Sequence, residues 1–341
     1  MRPAPPAPNP CAILAAPMRQ QHVLGLAIAV FHYGQPALYY CGEANSATRQ
    51  PVTQDTVFEA ASLSKPVFAY AVLQLVRERK LDLDKPLTEY LNRPYAHRQR
   101  AFSANSPTDL VNDPQLGKVT ARMVLSHTSG MPNWARGPLK FQSEPGKRWS
   151  YSSEGYVYLQ AVVETITGEP LEDFVRANVF LPLQMLHSTF VPTQASRAPL
   201  AQGYDRAGHP VHNSTTQPLA SSTLYTTLDD YSRFLESLLI LPQQDSPFSL
   251  MQQPQAVASA GAHLTWGLGI GLEDSHDKRS ILHWGANPGF QSFFLLSTET
   301  GDGVLYLTNS ENGLALLDTI VARYAPGRHP VLRFPLLHPA D

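Results

Sequence analysis

The chain has 341 residues, 43% apolar and 16% charged, enough at about 150 residues per domain for two structural lobes. With 26 Lys and Arg against 28 Asp and Glu, the formal charge of -2 offers no basic footprint for a phosphate backbone or an anionic bilayer, which argues against nucleic-acid and membrane partners. No apolar run approaches the 18 or so residues of a membrane span. The only cysteines, Cys11 and Cys41, are too few for a disulfide scaffold or a cysteine-built zinc site. They could form one bridge, but the simpler expectation is reduced thiols in a cytoplasmic protein.

The opening MRPAPPAPNP reads as a proline-rich tail over 1–17, followed by a stretch too short and interrupted for the core of a secretion signal. Residues 24–31 are an aliphatic run, Tyr33-Gly34-Gln35-Pro36 carries turn chemistry and 37–41 reads as the return strand of a hairpin. Residues 66–79 are good helix formers, apolar on nearly every face, which predicts a helix buried in the domain interior. A long middle region follows, with helical patterns at 156–167 and 228–239 broken by polar loops such as 195–219. Strand patterns return at 265–272, 280–284, 291–297 and 304–308, ahead of a helical pattern over 314–324. Strands from both ends around a helical middle predict an α+β fold. One sheet draws on both termini (about 18–65 and 260–325), a mainly helical lobe is inserted (about 66–259), and 326–341 forms a C-terminal extension.

Chemistry begins at Ser62-Leu63-Ser64-Lys65. A Ser and a Lys three apart share one helical face, and a buried lysine loses part of its preference for the ammonium, so it can accept a serine proton near neutral pH. The bland reading makes Ser62 a helix cap and Lys65 a surface charge. Ser275 and Lys278 repeat the spacing, but in a polar stretch with no buried helix behind it.

With these residues in view, the chain resembles the serine β-lactamase and penicillin-recognising hydrolases, in particular the branch of class C β-lactamases, D,D-peptidases, D-aminopeptidases and related esterases. The resemblance spans roughly 20–325 and is carried by VFEAASLSKPVFAYAVLQLV, KLDLDKPLTEYL, VLSHTSGMPNW, PGKRWSYSSEGYVYLQAVVETITG and HWGANPGFQSFFLLSTETGDGVLYLTN in the right order. It implies an antiparallel sheet flanked by helices. It also implies Ser62 as the acylated nucleophile, Lys65 and Tyr151 as the groups that share and relay its proton, and the backbone N–H groups of Ser62 and Ala286 as the oxyanion hole. His283, Trp284 and Gly285 occupy the place of the strand that lines the cleft, where His283 offers a hydrogen bond or a pH-dependent positive charge. The same motifs place His127 in a structural turn.

Two departures bear on substrate. Tyr151-Ser152-Ser153 stands where the family has Tyr-x-Asn, so a shorter hydroxyl at Ser153 replaces the amide that would meet an acylamino carbonyl. Trp284 stands where a small or hydroxylated residue is common. Both favour less polar ester or amide substrates over β-lactams and D-alanyl peptides. No Gly-x-Ser-x-Gly elbow or phosphate loop is present, and His209 and His212 lack the surrounding ligands of a metal site, so no cofactor or metal is expected. The expected partner is a small ester or amide, cleaved through an acyl-enzyme. The alternatives are a true β-lactamase, a D,D-peptidase or D-aminopeptidase, an acyltransferase, or a penicillin-binding sensor that is acylated without turnover.

Overall fold

A computed structural model describes residues 9–103, 105–191, 199–212, 217–240, 246–275 and 278–338. Residues 1–8 of the expected proline-rich tail, and part of the 195–219 loop, lie outside the described residues. From Pro10 the chain is already helical: α1 (Pro10–Gln20) is capped by the Asn9 side chain, which accepts from the Cys11 N–H.

The hairpin expected near the start is β1 (Gly25–His32) and β2 (Gln35–Asn45). Its two-residue turn, Tyr33-Gly34, has positive φ at both positions, the geometry that matches the twist of the flanking strands. A two-residue strand β3 (Gln50–Pro51) pairs with β2. Three small ribbons lie outside the main sheet. They pair β4 (Phe58–Ala61) with β9 (Leu224–Thr226), β5 (Ala96–Arg98) with β6 (Thr108–Leu110), and β7 (Gly203–Tyr204) with β8 (Pro210–Val211). The C-terminal strands are β10 (Ala256–Ser259), β11 (Leu264–Trp266), β12 (Gly271–Ser275), β13 (Lys278–Asn287), β14 (Phe290–Ser297) and β15 (Gly303–Thr308).

The single strand expected over 265–272 is corrected to two, β11 and β12. The intervening turn passes so close to its neighbours that a Cβ on Gly267 would fall 1.8 Å from the Met251 carbonyl oxygen, and one on Gly269 would fall 2.3 Å from the Ala69 Cβ. Only glycine fits those two points, and the chain reverses there.

The nine-stranded sheet runs β10-β11-β12-β13-β14-β15-β1-β2-β3. First and last strands meet in its middle, with Ile28 opposite Tyr306 and Ala29 opposite Leu305. Alternation along β1 splits its side chains between two cores. Leu26 and Ile28 pack beneath α1 and the helix at Leu317–Tyr324, while Ala27, Ala29 and Phe31 face the helical part of the chain. There α2 (Ser64–Arg77) is buried along most of its length, from Ser64 to Leu75. The remaining helices that matter to the site are α3 (Ala121–Leu125) and α4 (Ser153–Thr167).

The expectation of reduced cysteines is corrected. Cys11 in α1 and Cys41 in β2 are joined in a disulfide, which ties the first helix to the sheet. Among the described residues no helix is long and apolar enough to cross a membrane. With the linked positions 30 apart in sequence, the chain-entropy model assigns the bridge about 3–4 kcal/mol. Denaturant unfolding with and without a reductant should show a matching drop in midpoint. An unchanged midpoint would mean that the bridge does not form in solution or that α1 adds nothing to stability.

Candidate active site

Ser62 lies in the sharp turn between β4 and α2. The residue before it, Ala61, has φ +51°, a left-handed conformation that costs a side-chain-bearing residue about 1–2 kcal/mol. Neighbours hold the turn in place. The Ser64 hydroxyl donates to the Ala61 carbonyl at 2.6 Å and accepts from the Leu224 N–H at 2.9 Å, and the Tyr231 hydroxyl donates to the Leu63 carbonyl at 3.0 Å. No side chain caps α2, so the capping role considered for Ser62 does not apply. Ser62 itself is half-buried.

Lys65, one turn on, is fully buried. Its Nζ has three oxygen neighbours: Ser62 Oγ at 3.2 Å, Ser153 Oγ at 3.1 Å and the Ser221 carbonyl at 2.8 Å. Burial pushes its pKa well below the ordinary lysine value, because leaving water penalises the charged form. Proton accounting then fixes the geometry. The Ser221 carbonyl can only accept. The Ser153 hydroxyl gives its proton to Asn133 Oδ1 at 2.8 Å, so it too accepts from Lys65. A neutral amine has two N–H bonds, both now committed, and its lone pair is left facing Ser62.

Tyr151 comes from the residues just ahead of α4. The Nζ of Lys65 stands 4.7 Å from its ring centroid. Its buried hydroxyl makes no well-formed hydrogen bond in this state. Burial raises its pKa, and the facing Ser62 hydroxyl opposes that shift, so it rests as a phenol rather than a phenolate. His127 is a support for this segment. Its Nδ1 accepts from the Ser152 N–H at 3.1 Å, its carbonyl accepts from the Ser150 N–H at 2.7 Å, and its ring lies 4.3 Å from that of Tyr151. A ring nitrogen that accepts from a backbone N–H is unprotonated, and burial accordingly lowers the His127 pKa well below its ordinary value. Ser152 caps α4 by accepting from the Gly155 N–H at 3.0 Å.

On the far wall, β13 pairs with β12 only as far as Leu282, while its pairing with β14 continues to Asn287. The segment from His283 to Asn287 therefore presents a free backbone edge next to Ser62. Gly285 is obligatory there, since a Cβ would lie 2.4 Å from the Ala60 carbonyl oxygen. Ala286 is exposed. His283 and Trp284, expected to touch substrate, are instead buried by their side chains. The pH-dependent charge expected for His283 is corrected. Burial, with Lys65 adding in the same direction, pushes its imidazole down to about 3, and its Nδ1 lies 2.7 Å from the Trp284 carbonyl. Trp284 stacks on Tyr151 with ring centroids 5.4 Å apart and meets Phe334 of the C-terminal segment edge-on at 5.7 Å.

The arrangement brings Ser62, Lys65, Tyr151 and Ser153 into one cluster, and β13 borders it. Asn133 and Ser221 belong to it as well and were not singled out from the sequence. Asn133 lay in view within VLSHTSGMPNW; Ser221 contributes a backbone carbonyl, which no residue type signals. Elsewhere, a cleft of about 390 Å³ beside Gln252, Thr265, Glu273 and Arg279 contains none of these groups. His209 faces Asp205 at 3.3 Å on the surface, and among the described residues no three His, Cys, Asp or Glu side chains converge as a metal site would require.

The sequence pattern of the family described as Beta-lactamase matches residues 12–325. The chain belongs to the β-lactamase family. It is 28% identical to "Esterase EstB" of Burkholderia gladioli, an alignment that covers 92% of this chain and 94% of the relative. It is 27% identical to a "Beta-lactamase" of Pseudomonas fluorescens, over 75% of this chain and 70% of the relative. Among solved structures, a D-alanine carboxypeptidase of Burkholderia cenocepacia superposes with a TM-score of 0.75 at 19% identity, covering 92% of this chain and 97% of that one. That likeness establishes the β-lactamase/transpeptidase-like fold.

The burial of Lys65 is directly measurable. The ε-carbon resonance of Lys65 should titrate with a midpoint well below the ordinary value of about 10.4. A normal midpoint would show that water reaches the amine and that its lone pair is not available near neutral pH.

Proposed function

We propose that this member of the β-lactamase family is a serine hydrolase that cleaves an ester or amide through an acyl-enzyme on Ser62. The observation that carries the proposal is the Lys65 Nζ to Ser62 Oγ contact of 3.2 Å, made by an amine whose other bonds are already committed. Lys65 takes the Ser62 proton as the oxygen attacks the carbonyl carbon. The resulting oxyanion lies between the backbone N–H groups of Ser62 and Ala286. Tyr151, a phenol facing Ser62, relays the proton to the departing alcohol or amine, so that the leaving group departs neutral. Water then enters, gives up a proton to the same groups and releases the acid. The free edge from His283 to Asn287 lies where a substrate backbone or carbonyl can pair with it. His283 contributes by holding that edge, and Trp284 by packing against Tyr151.

For substrate class we favour esters of weakly polar acids. Two features support this: Ser153 stands in place of an amide, and position 284 offers no hydroxyl to a substrate carboxylate, its ring being buried against Tyr151. The near-full-length similarity to an esterase points the same way.

Three substrates decide the matter: a chromogenic cephalosporin, a short-chain aryl ester and a D-amino acid amide. The aryl ester should have the highest kcat/KM. A cephalosporin turned over much faster than the ester would reverse the substrate assignment. Ser62→Ala should abolish turnover and labelling by a fluorophosphonate, and near wild-type rates in that variant would end the acyl-enzyme reading. A stable Ser62 adduct without repeated turnover, seen by intact mass, would instead make the protein an acylated sensor.

The pH profile follows from the directions of the shifts. Lys65 must be neutral to act as base, so kcat/KM should rise with pH through its depressed pKa. Because burial raises the phenol of Tyr151, no loss from its ionisation should appear below its ordinary value of about 10. His283, held at about 3, should leave no inflection between pH 5 and 8, where an ordinary histidine titrates. A histidine-like inflection that disappears in His283→Asn would contradict this assignment.

A further inference from the structure

We propose that Asn287 is a positioning residue for the oxyanion hole: its side-chain amide locks β13, which carries the Ala286 N–H, against β4, which leads into Ser62. The inference rests on the Ser62 acyl-enzyme reading and adds to it a residue that touches none of the reacting atoms.

The orientation of the amide follows from its partners. One terminal atom of Asn287 lies 3.0 Å from the Glu59 carboxylate and 3.0 Å from the Ser222 carbonyl. A carbonyl can only accept, so that atom is Nδ2, and both of its protons are committed. Glu59 belongs to β4, just ahead of Ser62, and is buried. Ser222 follows Ser221, whose carbonyl accepts from Lys65. One half-buried side chain therefore spans three segments that meet at the nucleophile.

The topology shows why a clamp is needed there. From His283 onward β13 has no ladder partner on the β12 side, and β4 pairs with β9 outside the main sheet. No backbone ladder sets the distance between the Ala286 and Ser62 N–H groups; side chains must. Ser292, opposite Gly285 in the β13–β14 hairpin, donates its hydroxyl to the Ala60 carbonyl at 2.9 Å. That single bond would leave β4 free to pivot about Ala60. The bond from Asn287 to Glu59 is a second fixed point, on the same face of β13 as Gly285, and it removes the pivot. Asn287 is itself anchored, because it opens the turn through Pro288 and Gly289 to its partner Phe290. Gly289 has φ +82°, and a Cβ there would lie 2.9 Å from the Gly203 Cα, so the turn has no room to move toward that neighbour.

Two N–H groups stabilise an oxyanion only if both reach the same oxygen, and a small widening of the gap between them weakens the transition state more than the bound ester. Loss of the clamp should therefore lower the rate of forming the tetrahedral anion and leave the basicity of Lys65 alone.

The test compares wild type, Asn287→Leu and Asn287→Ala on p-nitrophenyl butyrate across pH. Leu keeps the volume and Ala does not, while both remove the donor. Rates are expressed per Ser62 labelled to completion by a fluorophosphonate, so misfolded protein drops out. In both variants kcat/KM should fall about ten- to hundredfold, with the midpoint of its rise with pH unchanged. The Ki of phenylboronic acid should rise by a similar factor. Its boron bonds to Ser62 Oγ as the serine proton passes to Lys65, and the tetrahedral anion so formed needs the same two N–H groups. A kcat/KM within twofold of wild type in both variants would overturn the proposal. So would an unchanged boronate Ki beside a reduced rate, or a shifted pH midpoint, which would place the effect on Lys65 through Ser222. Wild type that is not labelled on Ser62 would end the acyl-enzyme reading itself, whereas labelled wild type with unaffected variants would end this inference alone.

Discussion

Everything at this site depends on removing one amine from water. A lysine in solution is an ammonium with no lone pair to offer, and burial of Lys65 makes that form costly. Burial alone would leave the neutral amine free to turn in any direction. Its direction is set by two acceptors with no proton to give it: the Ser221 carbonyl, and a Ser153 hydroxyl whose own proton is committed to Asn133. The basicity of the site and its aim at Ser62 therefore come from different residues.

Those residues are drawn from distant parts of the chain, and the topology explains how they meet. Because β1 pairs with β15, the sheet closes across the whole sequence, and the segment between its two halves must fold back against one face. α2 leaves β4 at the sheet and runs into that helical region. The N-terminal end of α4 and the loop before β9 then converge on its first turn. The left-handed Ala61 marks where this convergence is tightest: a strained residue survives when its surroundings over-determine it, and here Leu224, Ser64 and Tyr231 do so.

The sequence made much of this legible, and the limits have physical causes. Ser62 and Lys65 stood out because a spacing with little specificity of its own coincided with a helix apolar on all faces; Ser275 and Lys278 lacked that setting. The helix at Leu228–Leu239 ends where its pattern predicts, since a single buried stripe encodes both its period and its length. The break between β11 and β12 was hidden because it depends on the closeness of Met251 and Ala69 to two glycines, a tertiary fact. The Cys11–Cys41 bridge was hidden because two cysteines carry no spacing code. His283 was assigned an accessible role because its residue type suggests chemistry, whereas its position places it behind the edge that its backbone forms.

The aromatic wall behind Tyr151 shows how the C-terminal segment, lying past the family match at 325, bears on the site. The Glu273 carboxylate accepts from the Val331 N–H at 2.9 Å and lies 2.7 Å from His329 Nδ1. It thereby pins the segment through a buried pair, and the contact raises the His329 pKa against the opposing pull of burial. So anchored, Phe334 meets both Trp149 and Trp284 edge-on, and Trp284 stacks on Tyr151. Each ring in this series excludes water from the next, and the last one shields the phenol whose pKa is raised by burial. Trp284 thus links a C-terminal anchor to the dielectric around the Tyr151 hydroxyl, the group proposed to relay the proton. Mutations near position 334 should then be felt at Ser62 through hydration of Tyr151 rather than through any contact with the reacting atoms.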